Sequence, residues 1–399
     1  MRSKIIGGTL LIAGTCIGGG MLGLPIATAK GGIVGASLLF IACWILMTFT
    51  ALLTLEVNLC FPKESNVVSM AKATLGKPGE IICWTIYLLF LYALVSAYIA
   101  GGQDVLYGLL QVAGLHVPVW LCSLGFVCIF GSIVMAGIKH LDIFNRLLMF
   151  IKLTTIFLLI VLIFSHIEKS NYSLGQIPYI LPALTVAITS FGFSIIVPSL
   201  RTYFDDDIQS LRIAIIAGSL LPLLCYVLWD AVIFGLIPLP GQFGLERLLV
   251  ANQPLTGLLD SIIYYVPTQK IIFLSRIFTS TCVLTAFACV SLGLYDYLAD
   301  GFKVSKQGNG KLLITLATFA PPVLIVLFYP QAFILLLSVA GLFCVILQAL
   351  MPAMMAWSCR YVNIMPTSYR VYGGKATLIL SILVSLLVIF ISIYQMVTG

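Results

Sequence analysis

The sequence predicts an all-α membrane protein of eleven transmembrane helices, and three observations carry that reading. Only 9% of its 399 residues are charged and 61% are hydrophobic, against about 25% charged for a soluble domain. So few charges cannot cover a water-facing surface. The apolar residues fall into runs close to the roughly 20 that cross a bilayer as a helix. The charges sit between those runs rather than along one face, so the net charge of +7 points to lipid and not to nucleic acid.

The runs are Ile5–Ala29, Ile33–Leu59, Ile81–Val112, Val117–Ile138, Ile143–Phe164, Ile177–Leu200, Ile213–Ile237, Ile271–Tyr295, Leu312–Phe328, Ala332–Trp357 and Ala376–Val397. The first is too long for a cleaved signal and lacks a small-residue cleavage site. Most connections are short. The longest are Cys60–Glu80 and the Pro/Gly-rich Pro238–Lys270, which has room for a short surface helix. The eleven cysteines are scattered, with no CxxC pair and no Cys/His cluster of metal spacing. They read as packing residues, and neither a metal nor another cofactor is expected.

Alternating the spans from a cytoplasmic N-terminus gathers Arg2, Lys4, Lys63, Lys72, Lys77, Lys139, Arg146, Arg201, Arg212, Lys303, Lys306, Lys311, Arg360, Arg370 and Lys375 on one side. The other side holds little beyond Lys30, Lys169, Arg247 and Lys270. By the positive-inside rule the first set is cytoplasmic, and an odd span count puts the C-terminus outside.

Two spans read as interrupted. AGTCIGGGMLGLP (Ala13–Pro25) has Gly14, Gly18, Gly19, Gly20 and Gly23 ahead of a proline. Small residues often serve close helix packing, but three consecutive glycines weaken the helix itself. The sixth span, TSFGFSIIVP (Thr189–Pro198), repeats the spacing: Gly19 precedes Pro25 by six residues and Gly192 precedes Pro198 by six. Five spans separate the two, so they run in opposite directions. That is the sequence pointer to an inverted repeat with substrate held near the midplane. Backbone freed at membrane depth needs a partner. Half-helix N-termini favour a carboxylate and freed carbonyls an ammonium, which together match a zwitterionic amino acid. The carboxylate is assigned to the N–H groups of Gly18, Gly19 and Gly20. The ammonium is assigned to carbonyls of Ala13, Gly14 and Thr15 and of Thr189, Ser190 and Phe191. A Gly19→Val change is expected to block uptake by filling the backbone approach.

These motifs, with LLTLEV (Leu52–Val57), LYALVSAYIAGG (Leu91–Gly102), LDIFNR (Leu141–Arg146), LGLYDYLAD (Leu292–Asp300) and PPVLIVLFYP (Pro321–Pro330), resemble the bacterial aromatic amino acid permeases. Those are tyrosine- and tryptophan-specific members of the hydroxy and aromatic amino acid permease group. The resemblance runs end to end. It implies a LeuT-like 5+5 inverted repeat of the APC superfamily. The first repeat covers about residues 5–165, the second about 177–357, and an extra helix about 376–397. It also implies proton-coupled uptake across the inner membrane by alternating access. Members of the group often carry His after the SFGF stretch, where this chain has Ser194. The choice among tyrosine, tryptophan and phenylalanine stays open, as do serine or threonine and sodium coupling.

In a LeuT-like fold the fifth span passes near the first and eighth, so Lys152 is a candidate proton-coupling group with Thr285 beside it. Snorkelling to the interface is the bland alternative for Lys152. The resemblance raises Tyr92 and Ser96, one turn apart on the third span, as cavity candidates. Phe191, Gly192 and Phe193 form the sixth-span break, where one ring can stack on or gate an aromatic substrate. Glu56 is expected at an interface or in a gate ion pair with Arg146 or Arg201, and Asp296 and Asp300 at the same level. Asp230 and Arg276 lie at depths that permit a pair. Asp205–Asp207 reads as a loop with Asp207 capping a helix, since a metal-diphosphate site wants a second Asp-rich motif. A membrane-embedded enzyme lacks its catalytic constellation here, with only three histidines (His116, His140, His166), all near span ends. A channel does not require two interrupted helices.

Overall fold

The computed structural model describes residues 2–398 apart from 64, 136–137, 173–174, 252, 305–306 and 330–331. Lys306 and the side chains of Arg2, Lys139, His140 and Arg146 lie outside the described residues. Among the described residues the regular elements are all helical. Among the described residues nine helices are long and apolar enough to cross a membrane, and two more, Lys4–Cys16 and Val119–Met135, are apolar but shorter. One part of the difference from the expected eleven has a local cause: a break shortens the first run.

The first run forms α1 (Arg2–Cys16) and α2 (Gly19–Thr28), followed by α3 (Gly32–Leu59). Next come α4 (Val67–Val112), α5 (Val119–Met135) and α6 (Ile138–Phe164). The sixth run is a 3-10 turn (Ile177–Ala183), α7 (Leu184–Ser190), a gap, a second 3-10 turn (Ser194–Ile196) and α8 (Val197–Tyr203). Then follow α9 (Ile208–Leu236), α10 (Leu245–Leu248), α11 (Pro254–Tyr265), α12 (Gln269–Phe302) and α13 (Gly308–Phe328). The tenth run is α14 (Phe333–Val345), a π-helical segment (Ile346–Leu350), α15 (Met351–Trp357) and a second π segment (Ser358–Val362). α16 (Gly374–Thr398) ends the chain.

The burial pattern is that of a protein dissolved in hydrocarbon. On α6, Phe150, Phe157 and Phe164 repeat every seven residues and are 66–71% exposed, while Lys152, Ile156, Leu159 and Ile163 on the other face are buried. An apolar stripe outside and a lysine inside reverse the soluble arrangement. Small residues set the closest approaches, as expected between membrane helices. A Cβ on Gly218 of α9 would lie 2.7 Å from Ile12 of α1, and one on Gly341 of α14 would run into the Thr185 carbonyl of α7.

Both long connections carry helix. Residues 67–75 fold as the first turns of α4, with the Asn66 side chain accepting the Ser69 N–H at 2.8 Å as an N-cap. Gly76 (φ +74°) then kinks the element, and Pro78 restarts it. The Pro238–Lys270 connection holds α10 and α11. Lys30, after α2, pairs with Glu246 of α10 at 2.8 Å.

The opposite end is charged. Lys4 binds Asp205 at 2.7 Å, Lys63 lies 3.6 Å from both Asp205 and Asp206, and Arg201 Nε donates to Asp206 at 2.6 Å. Asp207 caps α9 by accepting the Ser210 N–H. Hydrogen bonds from Lys4 and Arg201 hold the Asp205 and Asp206 carboxyls below the ordinary carboxylate range. The acidic triplet is thus engaged by basic residues and a helix cap. Among the described residues no group of three or more His, Cys, Asp and Glu is arranged to hold a metal.

Candidate functional site

The two interruptions lie side by side. α1 ends at Cys16, Gly18 is extended (φ −144°, ψ −153°) and α2 begins at Gly19. The break therefore falls at Ile17–Gly18, because Gly19 and Gly20 already carry helical backbone. α7 ends at Ser190, and Phe191–Phe193 bridge to the next turn. The matching Gly–Pro spacings place their prolines differently. Pro25 sits inside α2, whereas Pro198 opens α8 after an added 3-10 turn. A Cβ on Gly20 would lie 2.8 Å from Ser190 Oγ, which measures how closely the breaks approach.

Gly18 is the N-cap of α2 and has no side-chain cap bond, and Gly19 and Gly20 are its first two residues, positions whose N–H groups a helix leaves without an intrahelical partner. They present a positive helix end. On the other side, the Cys16 and Ser190 carbonyls both face the Tyr226 hydroxyl of α9, at 2.7 and 2.8 Å. The Phe191 ring packs edge-on against the Tyr226 ring, with centroids 5.1 Å apart. Tyr226 escaped the sequence reading. Its one signal was the i, i+4 relation to Asp230 on the same helix face.

Lys152 of α6 is fully buried. Its ammonium donates to the Ile17 carbonyl at the first break and to Thr285 Oγ1 of α12 at 3.2 Å. The Thr285 hydroxyl in turn donates to the Thr281 carbonyl at 2.8 Å. The amine does not snorkel, and α6 and α12 meet at the break through it.

The other candidates divide. Ala13 accepts the Ile17 N–H. Gly14 faces Met149, with a would-be Cβ 2.5 Å from its methyl. The exposed Thr15 turns its hydroxyl to the Leu11 carbonyl. Thr189 bonds Thr185 and Leu337 carbonyls, and Ser190 Oγ bonds the Val186 carbonyl. Tyr92 donates to the Ala317 carbonyl of α13 and Ser96 to the Tyr92 carbonyl, so neither hydroxyl is aimed at a break. Tyr98 is the α4 residue that reaches it. Phe193 packs apart, with Ile12, Ala51, Leu55 and Val197. Gly192 lies beside Gln348 and Cys344. Gln348 Oε1 accepts both the N–H and the hydroxyl of Ser194.

Two pairings that the sequence permitted are replaced by others. Glu56 pairs with Arg360, not Arg201, which instead donates to the Asn58 and Phe61 carbonyls and to Asp206. Asp230 does not meet Arg276. Its Oδ2 lies 2.7 Å from the Thr28 hydroxyl. Arg276 lines a cavity with Asp104 and Asp260. A larger cavity of about 380 Å³ lies at the charged end, lined by Lys63, Asn66, Tyr87, Ile195, Pro198 and Thr202.

The geometry changes the reason for one expected effect. A Cβ on Gly19 would lie 2.7 Å from the Tyr98 ring, whereas one on Gly18 meets only Ala286 at 3.4 Å. Gly19→Val is therefore disruptive because it displaces Tyr98. Gly18→Ala is expected to keep initial uptake within about twofold, and Gly19→Val to lower it at least about tenfold, in line with overpacking costs of roughly 1–3 kcal/mol. Uptake at matched protein levels checks this, and equal losses would contradict it.

Residues 1–392 match the tryptophan/tyrosine permease family. The chain is 34% identical to tyrosine-specific transport system 1 of Haemophilus influenzae, over 97% of this chain and 96% of that protein. It is 32% identical to a tryptophan-specific transport protein of the same species, over 93% and 91%. Among solved structures it resembles a manganese transporter of Eremococcus coleocola, with a TM-score of 0.66 at 13% identity over 98% of this chain and 85% of that one. That likeness speaks to the fold alone. A multi-pass helical bundle, two adjoining helix breaks and these relatives together establish that the chain belongs to the tryptophan/tyrosine permease family and is a transporter rather than an enzyme.

Proposed function

We propose that this protein imports an aromatic amino acid, tyrosine first among them, by proton symport across the bacterial inner membrane. The observation that carries the reading is the meeting of two interrupted helices, with the N-terminal end of α2 on one and turned-in carbonyls on both. The substrate carboxylate docks on Gly18–Gly20 N–H groups, and its ammonium docks on carbonyls at the ends of α1 and α7. The relatives' named substrates support an aromatic side chain.

Eleven spans, counting α1 with α2 and α7 with α8 as single crossings, then form two inverted repeats of five plus a final helix. The N-terminus is cytoplasmic and the C-terminus periplasmic. In this reading the bundle of spans one, two, six and seven rocks against spans three, four, eight and nine, and the 380 Å³ cavity beside α8 is the cytoplasmic access route.

Lys152 and Thr285 serve coupling. A lysine nitrogen between the Ile17 carbonyl and Thr285 occupies oxygen ligands of the kind a sodium ion would use, which favours a proton over sodium. Proteoliposomes tested with all amino acids under imposed gradients decide the matter. Saturable tyrosine accumulation under a proton gradient, competed by tryptophan and phenylalanine, is expected. Accumulation that follows sodium alone would overturn the coupling, and indifference to aromatic amino acids would overturn the substrate.

A further inference from the structure

We propose that Gln348 reads the polar end of the substrate side chain, and that its amide selects a phenolic oxygen over an indole N–H. This deepens the aromatic permease reading and rests on it. Gln348 lies in the π-helical segment Ile346–Leu350 and is 1% exposed. π turns inside α-helices are frequent at functional sites. Its Oε1 accepts the Ser194 backbone N–H at 2.9 Å and the Ser194 hydroxyl at 3.1 Å. A backbone N–H can only donate, so this contact fixes which end of the amide is oxygen.

The other end is therefore the NH2 group, and Nε2 is buried without a hydrogen-bond partner among the described residues. It faces the sixth-span break. A Cβ on Gly192 would lie 3.2 Å from Nε2 and 2.9 Å from Cys344 Sγ, so only a glycine lets the break approach the amide this closely. Leaving a buried donor unpaired costs about 1–3 kcal/mol, and such a group in a native structure calls for an explanation. A ligand acceptor supplies one.

The amide nitrogen offers protons and accepts none. A phenolic oxygen has lone pairs to receive them. An indole N–H is itself only a donor, and a phenyl ring brings no oxygen. The arrangement therefore ranks tyrosine above phenylalanine and tryptophan. The substrate carboxylate is the other acceptor available, but the Gly18–Gly20 N–H groups are assigned to it. Ser194 acts here by orienting Gln348. A site built to hydrogen-bond a hydroxyl discriminates strongly against analogues that lack it.

The test is equilibrium binding of L-tyrosine, L-phenylalanine and L-tryptophan to the purified full-length protein, and to its Gln348→Met variant. The wild-type chain is expected to prefer tyrosine over phenylalanine by at least about tenfold, and the variant to reduce that ratio to about twofold. The wild-type series stands even if the variant does not fold. Equal wild-type affinities for tyrosine and phenylalanine, or a preference for tryptophan, would overturn the assignment while leaving the aromatic reading intact. A variant that weakens all three ligands by the same factor would place Gln348 on the carboxylate and also overturn it. Binding of none of the three would sink the aromatic reading itself.

Discussion

Lys152→Gln is expected to abolish proton-driven accumulation. A one-unit pH gradient coupled to one proton sustains about a tenfold substrate gradient, and in the variant the internal and external concentrations should equalise. Glutamine is one methylene shorter than lysine but keeps an uncharged N–H donor on the side of the Ile17 carbonyl. What it removes is the ability to take up and release a proton. Alanine would be a poorer probe, because it leaves the Ile17 carbonyl unpaired and opens a cavity behind α12. Substrate counterflow without a gradient provides the control, since it needs binding and rocking but no net proton movement. Full accumulation by Lys152→Gln under a proton gradient would remove this lysine from the coupling.

The largest stability effect is expected at the Glu56–Arg360 pair. The two side chains are 1% and 4% exposed. Arg360 donates to both carboxylate oxygens, Nε to Oε1 at 2.6 Å and the terminal nitrogen to Oε2 at 2.5 Å. The Val371 N–H adds a third donor to Glu56 at 2.8 Å, and Arg360 also reaches the Val371 carbonyl at 3.0 Å. The pair thus ties α3, the second π segment and the stretch before α16 into one unit. Removing one partner of a buried pair costs about 3–5 kcal/mol, while replacing both with apolar groups is often nearly neutral. Arg360→Ala should therefore lower the thermal midpoint in detergent by several degrees, and Glu56→Met combined with Arg360→Met should recover most of that loss. A midpoint within about 1 °C of wild type for Arg360→Ala would contradict the expectation.

The fold was legible because hydrocarbon imposes a coarse rule, and the eleven apolar runs follow it whatever their partners. The breaks were legible for a related reason: glycine and proline act on their own stretch of backbone. Gly18 and Phe191–Gly192 could be found without knowing any neighbour. Partner choice was not legible. Glu56 and Arg360 are 304 residues apart, and nothing in either segment favours Arg360 over Arg201. Tyr226 looked like any aromatic residue in an apolar helix, since its hydroxyl acquires meaning only when two helix ends arrive beside it. Gln348 was hidden by the π turn, which rotates the residue off the face that a 3.6-residue period assigns. Tyr92 erred the other way: its position suited the site, but a carbonyl of α13 took its hydroxyl.

The Tyr226 hydroxyl lies within hydrogen-bond reach of two carbonyls and carries one proton to give. It therefore has two arrangements, one serving Cys16 and one serving Ser190. An ammonium that satisfies either carbonyl frees the tyrosine proton for the other. Two helix ends far apart in the chain are in this way joined by a single atom of hydrogen, and the arrival of a cation at one is felt at the other before any helix has to move.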